Sequence, residues 1–303
     1  MVFGVSIRLP ANAKSTLESL YEQFDQRLDI VDPIQRVHNF RNAKDREVVG
    51  FCAAALAFGR VTSILQSIDA LLVVMGDSPA QFVRQFDVAE HRRTIGSITH
   101  RWIRGRDLLA LLSILQRILL TSGSIETFFN EGYDASMPDI GDALESFSSR
   151  ALSVDLDSVY GRDKRRNVSY FFPRPSKGSA CKRLNLYLRW MVRRDQLDLG
   201  VWTTVRSSQL VIPLDTHIIR VGQCLGLTSY RSPGWAMARD ITNVLKRFDP
   251  IDPVKYDFSL CHVSMMDQCG FTTSHRDDLC PLRGWCRPGS RRRRSFARPS
   301  DHH

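Results

Sequence analysis

The sequence predicts an all-α protein, and three observations carry that expectation. Apolar residues recur at helical spacing in nearly every patterned stretch, strand-like alternation is scarce, and no glycine signature of a dinucleotide-binding unit occurs. At 303 residues, with 43% hydrophobic and 24% charged content, the composition is that of an ordinary soluble chain long enough for two modest domains.

The elements follow in order. An amphipathic helix is expected near Lys14 to Leu28, then a connector containing Asp32-Pro33. Asp45 reads as the cap of a buried helix that ends near Gly59, and a second helix starts at about Val61. Leu108, Leu111, Leu112, Leu115 and Leu119 form one helical stripe and belong to the core. Ser124 caps a helix to Asn130, and another runs from about Asp139 to Leu152. The stretch 155–177, rich in Asp, Arg, Ser and Pro, is a connector.

Lys182 then opens a helix to about Arg194. Leu184, Leu188 and Met191 line one face, and Arg189, Arg193 and Arg194 suit its negative C-terminal end. Pro213 and Leu214 make an approach turn, and Asp215 stands at the start of a helix that ends at Gly226, where a carboxylate caps free N–H groups and is favoured by the helix dipole. Ser232 and Pro233 signal the start of a helix to Phe248, and Asp257 to Met266 is the last helix.

Lys+Arg exceed Asp+Glu by 42 to 32, giving a net charge of +10, which favours polyanionic partners and nucleic acid first. Arg291 to Arg294 supply four of those charges, and 287–303 reads as a basic disordered tail. No apolar run approaches the roughly 18 residues of a membrane span and the N-terminus has no secretory pattern, so a cytoplasmic location is expected. Seven cysteines, four of them between Cys261 and Cys286, fit metal ligation in a reducing compartment better than a disulfide framework.

The run Leu214 to Val221, L-D-T-H-I-I-R-V, resembles the V-D-T-H-I-x-R-V stretch of the helix-hairpin-helix DNA glycosylase superfamily, which includes endonuclease III and the adenine glycosylases. The longer string Phe171 to Arg194, with D-P-V-K-Y-D-F at Asp252 to Phe258, is similar to a large bacterial family of unassigned function, and that similarity extends from about Asp32 to Cys286. The glycosylase resemblance implies that Asp215 is catalytic and that Lys182 matches the hairpin lysine. It also places Lys177, Gly178, Ser179 and Arg183 in a phosphate-binding hairpin. The hairpin departs from the superfamily pattern, because Ala180 stands where a second glycine is usual, the preceding Pro is shifted, and Asp195 to Ser208 lengthens the interval to Asp215. The archaeal 8-oxoguanine glycosylase branch has a comparably long interval. By the same resemblance Gly59 and Arg60 face the strand opposite the target base; a plain helix C-cap with a surface arginine explains them equally.

The chemistry of such a pair is specific. A lysine amine attacks the anomeric carbon only when unprotonated, which burial or a neighbouring cation promotes, and Lys177 and Arg183 are the nearest cations in sequence. A carboxylate opposite stabilises the oxocarbenium charge and shuttles protons. His217 reads as a structural helix residue.

The segment Cys280 to Cys286, C-P-L-R-G-W-C, resembles the last two ligands of the superfamily's four-iron cluster loop, with Cys269 as the first ligand and Cys261, His275 or Asp277 as the fourth. A four-iron cluster is the implied cofactor, with zinc or no metal as alternatives. The expected organisation is a central helical domain over 45–206 and a second helical domain built from 1–44 and 207–286, with Lys182 and Asp215 in the cleft between them. Two functions remain open: a glycosylase or abasic-site lyase working on DNA as a monomer, and a nucleic-acid-binding protein that keeps the fold without turnover.

Overall fold

The computed structural model describes residues 10–25, 31–161, 167–265, 280–282 and 285. Expectations that fall on Leu28, Met266, Cys269, His275, Asp277, Cys286 and the tail 287–303 lie outside the described residues. The described chain is mostly helical. Its β-structure is confined to a short antiparallel hairpin, β1 (Thr99–His100) against β2 (Ile103–Arg104), and an isolated bridge from Arg194 to Leu199.

The helices are α1 (Ala13–Asp25), α2 (Ile34–His38), α3 (Ala43–Leu56), α4 (Val61–Met75), α5 (Pro79–Arg84), α6 (Val88–His91) and α7 (Gly105–Ser122). After these come α8 (Ile125–Asn130), α9 (Gly141–Ala151), α10 (Asp157–Tyr160), α11 (Lys182–Val192), α12 (Thr216–Cys224), α13 (Trp235–Leu245) and α14 (Asp257–Met265). The leucine stripe expected on α7 is buried throughout. Among the described residues no helix is long and apolar enough to cross a membrane.

The buried helix α3 organises the packing. Asn42, three residues ahead of the expected Asp45, caps it by accepting from Lys44 N at 2.9 Å. Asp45 serves a different helix, because its Oδ1 accepts from Ala80 N at 2.8 Å near the start of α5. Two residues further along, Glu47 accepts from Glu126 N at 2.9 Å, at the start of α8, and from Trp202 Nε1 at 2.7 Å. Two carboxylates of one helix thus satisfy the free N–H groups of two others. Gly50 lets α11 approach closely, since a Cβ there would stand 2.9 Å from Met191 Cε.

Helix α11 buries Leu184, Leu188 and Met191 as its sequence pattern requires. Two of the arginines expected to suit the C-terminal end of α11 have partners beyond the helix dipole. Arg189 and Arg193 are buried, and Asp198, Asp257, Asp195 and Asp252 surround them in ion pairs. Burial works against both charges, but the carboxylates outweigh it and hold the guanidinium pKa values above the ordinary range. The interval that reads as extra sequence therefore supplies Asp195, Asp198 and Trp202 to the core side of α11.

One further helix start is displaced from its sequence signal: Ser232 lies in a bend, and α13 begins at Trp235 behind Gly234. Its partner α12 approaches it closely at Gly222, where a Cβ would meet Ile241 Cδ1 at 2.7 Å. Helix α14 packs against both α12 and α1.

Candidate active site

Asp215 arrives at its place on a buried extended stretch. Leu210, Val211, Ile212 and Leu214 are all buried, and Ile212 N donates to Thr242 Oγ1 of α13 at 3.0 Å. The carboxylate then does two things at once. Oδ1 accepts from Ile218 N at 2.7 Å and caps α12, as its sequence position requires, while Oδ2 lies 3.5 Å from the Cys261 thiol on α14. His217 meets Ser264 of α14 through Nδ1 at 3.1 Å, which fits a structural role.

Cys261 is the residue around which the site closes. Burial, then the charges of Asp215 and Asp257, push its thiol well above the usual range, with the Lys182 ammonium acting in the opposite direction. The group is therefore a protonated donor to Asp215 at neutral pH. Lys182, half-buried at the first turn of α11, donates Nζ to the Ala57 carbonyl at 3.3 Å, just past the end of α3. The carboxylate of α12 thus contacts the thiol of α14, while the amine of α11 is held at the end of α3 and acts on that thiol only through its charge.

The hairpin ahead of Lys182 has its own geometry. Before it stands a short 3₁₀ turn, Pro175–Lys177, rather than a full helix. Gly178 is left-handed at φ +76°, as a hairpin glycine must be. The second left-handed residue is Cys181, at φ +51°, so Ala180 occupies a position that makes no such demand. Ser179 Oγ accepts from Cys181 N at 3.1 Å and braces the turn. Lys177 and Gly178 are exposed.

Gly59 and Arg60 are exposed at the α3–α4 turn, with Gly59 at φ +108° and Arg60 in the N-cap position of α4. Arg183 does not serve Lys182 as a free cation. Its guanidinium lies 3.3 Å from the centroid of the Tyr170 ring and donates Nη2 to the Tyr170 carbonyl. Burial lowers its pKa to about 10, which still leaves it charged at neutral pH.

The structure describes Cys280 as buried, while Cys269 and Cys286 lie outside the described residues. Cys261 fits the fourth-ligand role poorly. Its thiol is engaged by other partners, with Asp215 Oδ2 at 3.5 Å and Met265 Sδ at 3.7 Å. Among the described residues no group of three or more His, Cys, Asp or Glu side chains is placed to hold a metal ion.

Sequence reasoning gave Cys261 to the metal and missed its contact with Asp215. A local signal was present, because Asp257, Cys261 and Met265 are spaced four apart and share one face of α14. The aromatic residues beside Arg183 were also missed. In H-R-W-I-R-G-R, His100 to Arg106, an aromatic interleaved with basic residues was the available sign.

The fold and site define a mostly helical protein in which a helix-capping carboxylate faces a half-buried thiol. The chain belongs to the family described as Protein of unknown function (DUF2400), which matches residues 32–266. No curated protein and no solved structure matches it. The glycosylase resemblance therefore rests on its motifs alone.

Proposed function

We propose that this protein is a DNA glycosylase or abasic-site lyase that works through Lys182 and Asp215. The observation that supports the reading is the Asp215 carboxylate, whose Oδ2 lies 3.5 Å from the Cys261 thiol on which the Lys182 charge also acts. Asp215 accepts a proton from the amine, and Nζ then attacks the anomeric carbon of a flipped nucleotide. The new C–N bond forms as the glycosidic bond breaks and the base departs with its electron pair and a proton. The sugar ring opens to a Schiff base, and loss of the neighbouring C2′ proton expels the 3′ phosphate. DNA is the partner, the monomer is the working form and the cytoplasm is the compartment in this reading.

Borohydride tests it directly. Reduction of the Schiff base should leave a covalent protein–DNA adduct on an abasic or damaged duplex, and Lys182→Ala should abolish it while DNA binding persists. Wild-type protein that binds DNA but yields neither adduct nor cleaved strand on a lesion panel would overturn the reading. One observation favours the second reading, a nucleic-acid-binding protein without turnover: Lys182 Nζ is bonded to a backbone carbonyl rather than to Asp215.

The proposed cofactor is a four-iron cluster, with zinc as its alternative, on Cys269, Cys280 and Cys286 with a fourth ligand from His275 or Asp277. It supports the fold in this proposal and no chemical step passes through it. Anaerobically purified protein free of both iron and zinc would sink it.

A further inference from the structure

Beside the hairpin lies an open pocket of about 360 Å³, walled by Trp102, Tyr170, Asn167, Ser169, Ser179 and Arg183. Its size is within the range of small-molecule sites. Its floor is aromatic. Phe58 packs against Trp102 with ring centroids 4.6 Å apart and against Tyr170 at 5.3 Å, and Trp102 meets Tyr170 edge-on at 5.3 Å.

The chain builds this platform deliberately from its non-helical parts. The β1–β2 hairpin presents Trp102 at its tip, and Arg101 beside it takes a left-handed φ of +55°. His100 anchors the hairpin, with Nε2 2.9 Å from the Phe58 carbonyl and Nδ1 2.9 Å from Ser67 Oγ. Trp102 nonetheless remains 44% exposed, an indole held in place with a large free surface. Aromatic side chains with one face packed and one face free are enriched at recognition surfaces.

Charge selects the ligand. The Arg183 guanidinium covers the Tyr170 ring, Arg101 lies 5.2 Å from the Trp102 centroid, and among the described residues no carboxylate lines the pocket. An aromatic pocket free of cations would suit an ammonium ligand; one already flanked by two arginines repels it. A planar base that stacks on an indole and carries an adjacent phosphate satisfies both features. Arg183 Nη1 is enclosed without a hydrogen-bond partner, a donor available to such a ligand after a small turn of the guanidinium.

We propose that the pocket walled by Trp102, Tyr170 and Arg183 binds one unpaired nucleotide of a DNA strand, its base stacked on Trp102 and its phosphate beside Arg183. The inference rests on the nucleic-acid reading above and is independent of turnover. Continuity of the chain places this pocket next to the candidate active site, because Phe58, which packs against Trp102 and Tyr170, follows Ala57, whose carbonyl holds Lys182, and Arg183 follows Lys182 itself. A strand crossing from one to the other would present one nucleotide to the amine and an unpaired neighbour to the indole.

The test uses the full chain and a short single strand carrying 2-aminopurine. Stacking should quench the probe on wild-type binding, and Trp102→Ala should abolish that quenching and weaken affinity about ten-fold. Trp102→Phe should retain most of both, and because the indole is half exposed neither change removes a core side chain. Trp102→Ala protein that quenches and binds like wild type overturns the proposal. The free 2-aminopurine nucleotide binding as tightly as the strand overturns the assignment to a strand in favour of a soluble nucleotide. Borohydride trapping is a separate readout: quenching without an adduct removes the lyase and leaves the pocket, and an adduct without Trp102-dependent quenching does the reverse.

Discussion

At the scale of single residues, Asp215 is asked to be a structural cap and a chemical group together. The two oxygens divide the work, Oδ1 to the backbone of α12 and Oδ2 to the Cys261 thiol. Asn is as good a cap as Asp, so Asp215→Asn should leave stability within a few tenths of a kcal/mol, whereas Asp215→Ala should cost about 1 kcal/mol. The charge has a readout that needs no substrate. Burial and the charges of Asp215 and Asp257 push the Cys261 thiol up, so alkylation of that cysteine, mapped by mass spectrometry, should be very slow at neutral pH. Asp215→Asn removes one of the charges that oppose the thiolate, so the same reaction should quicken at a given pH. Cys261 labelling as fast as an exposed cysteine in the wild type, or unaffected by the substitution, would place the thiol elsewhere. The cap was legible in the sequence because its signals are local: Pro213 ahead, apolar periodicity behind, Gly226 at the end. The thiol contact was not, because 46 residues separate the two groups and the four-residue spacing of Asp257, Cys261 and Met265 marks only their shared face of α14.

At the scale of elements, α3 shows how carboxylates can hold several helices at once. Glu47 is buried and accepts from α8 and from Trp202, so its place in the fold depends on partners far along the chain. Burial raises its pKa, with the hydrogen bonds from Glu126 N and Trp202 working the other way. The sign of the linkage follows. A carboxyl whose pKa is higher folded than unfolded contributes stability that is complete below its unfolded pKa and is lost as pH rises through the folded one. In urea titrations across that acidic window, Glu47→Gln should flatten the fall in stability that wild type shows. Glu47→Ala should instead lose about 2–4 kcal/mol throughout, because Trp202 Nε1–H and Glu126 N–H are left without an acceptor. A wild-type stability independent of pH across the window would refute the assignment. The helical class, the α7 stripe and most helix ends were readable from apolar period and capping residues. The ion pairs of Arg189 and Arg193 were not, because a basic helix end reads as a solvated surface until the loop carrying Asp198 folds back over it. Ser232-Pro233 misled for a related reason: the same dipeptide starts a helix or makes a turn, and Gly234 behind it settles the matter.

At the scale of the whole molecule, the +10 charge poses a question of distribution. Residues 287–303 carry six arginines against the single Asp301, so much of the basic excess lies outside the described residues. Arg60, Arg101, Lys177 and Arg183 belong to that body, and all stand near the turns that flank the candidate site and the aromatic pocket. These two sets of charge make different contributions to binding. Phosphate contacts release counterions, so each adds roughly 0.9 to the magnitude of the slope of log K against log salt on duplex DNA. Stacking on Trp102 adds affinity that salt barely changes. Deleting 287–303 should therefore weaken duplex binding and flatten the salt dependence, while 2-aminopurine quenching and any Lys182 adduct persist at low salt. Trp102→Ala in the full chain should give the opposite result, an unchanged slope with lower affinity at every salt concentration. If removal of the tail abolishes binding and quenching together, the tail is the nucleic-acid contact and the folded surface is not.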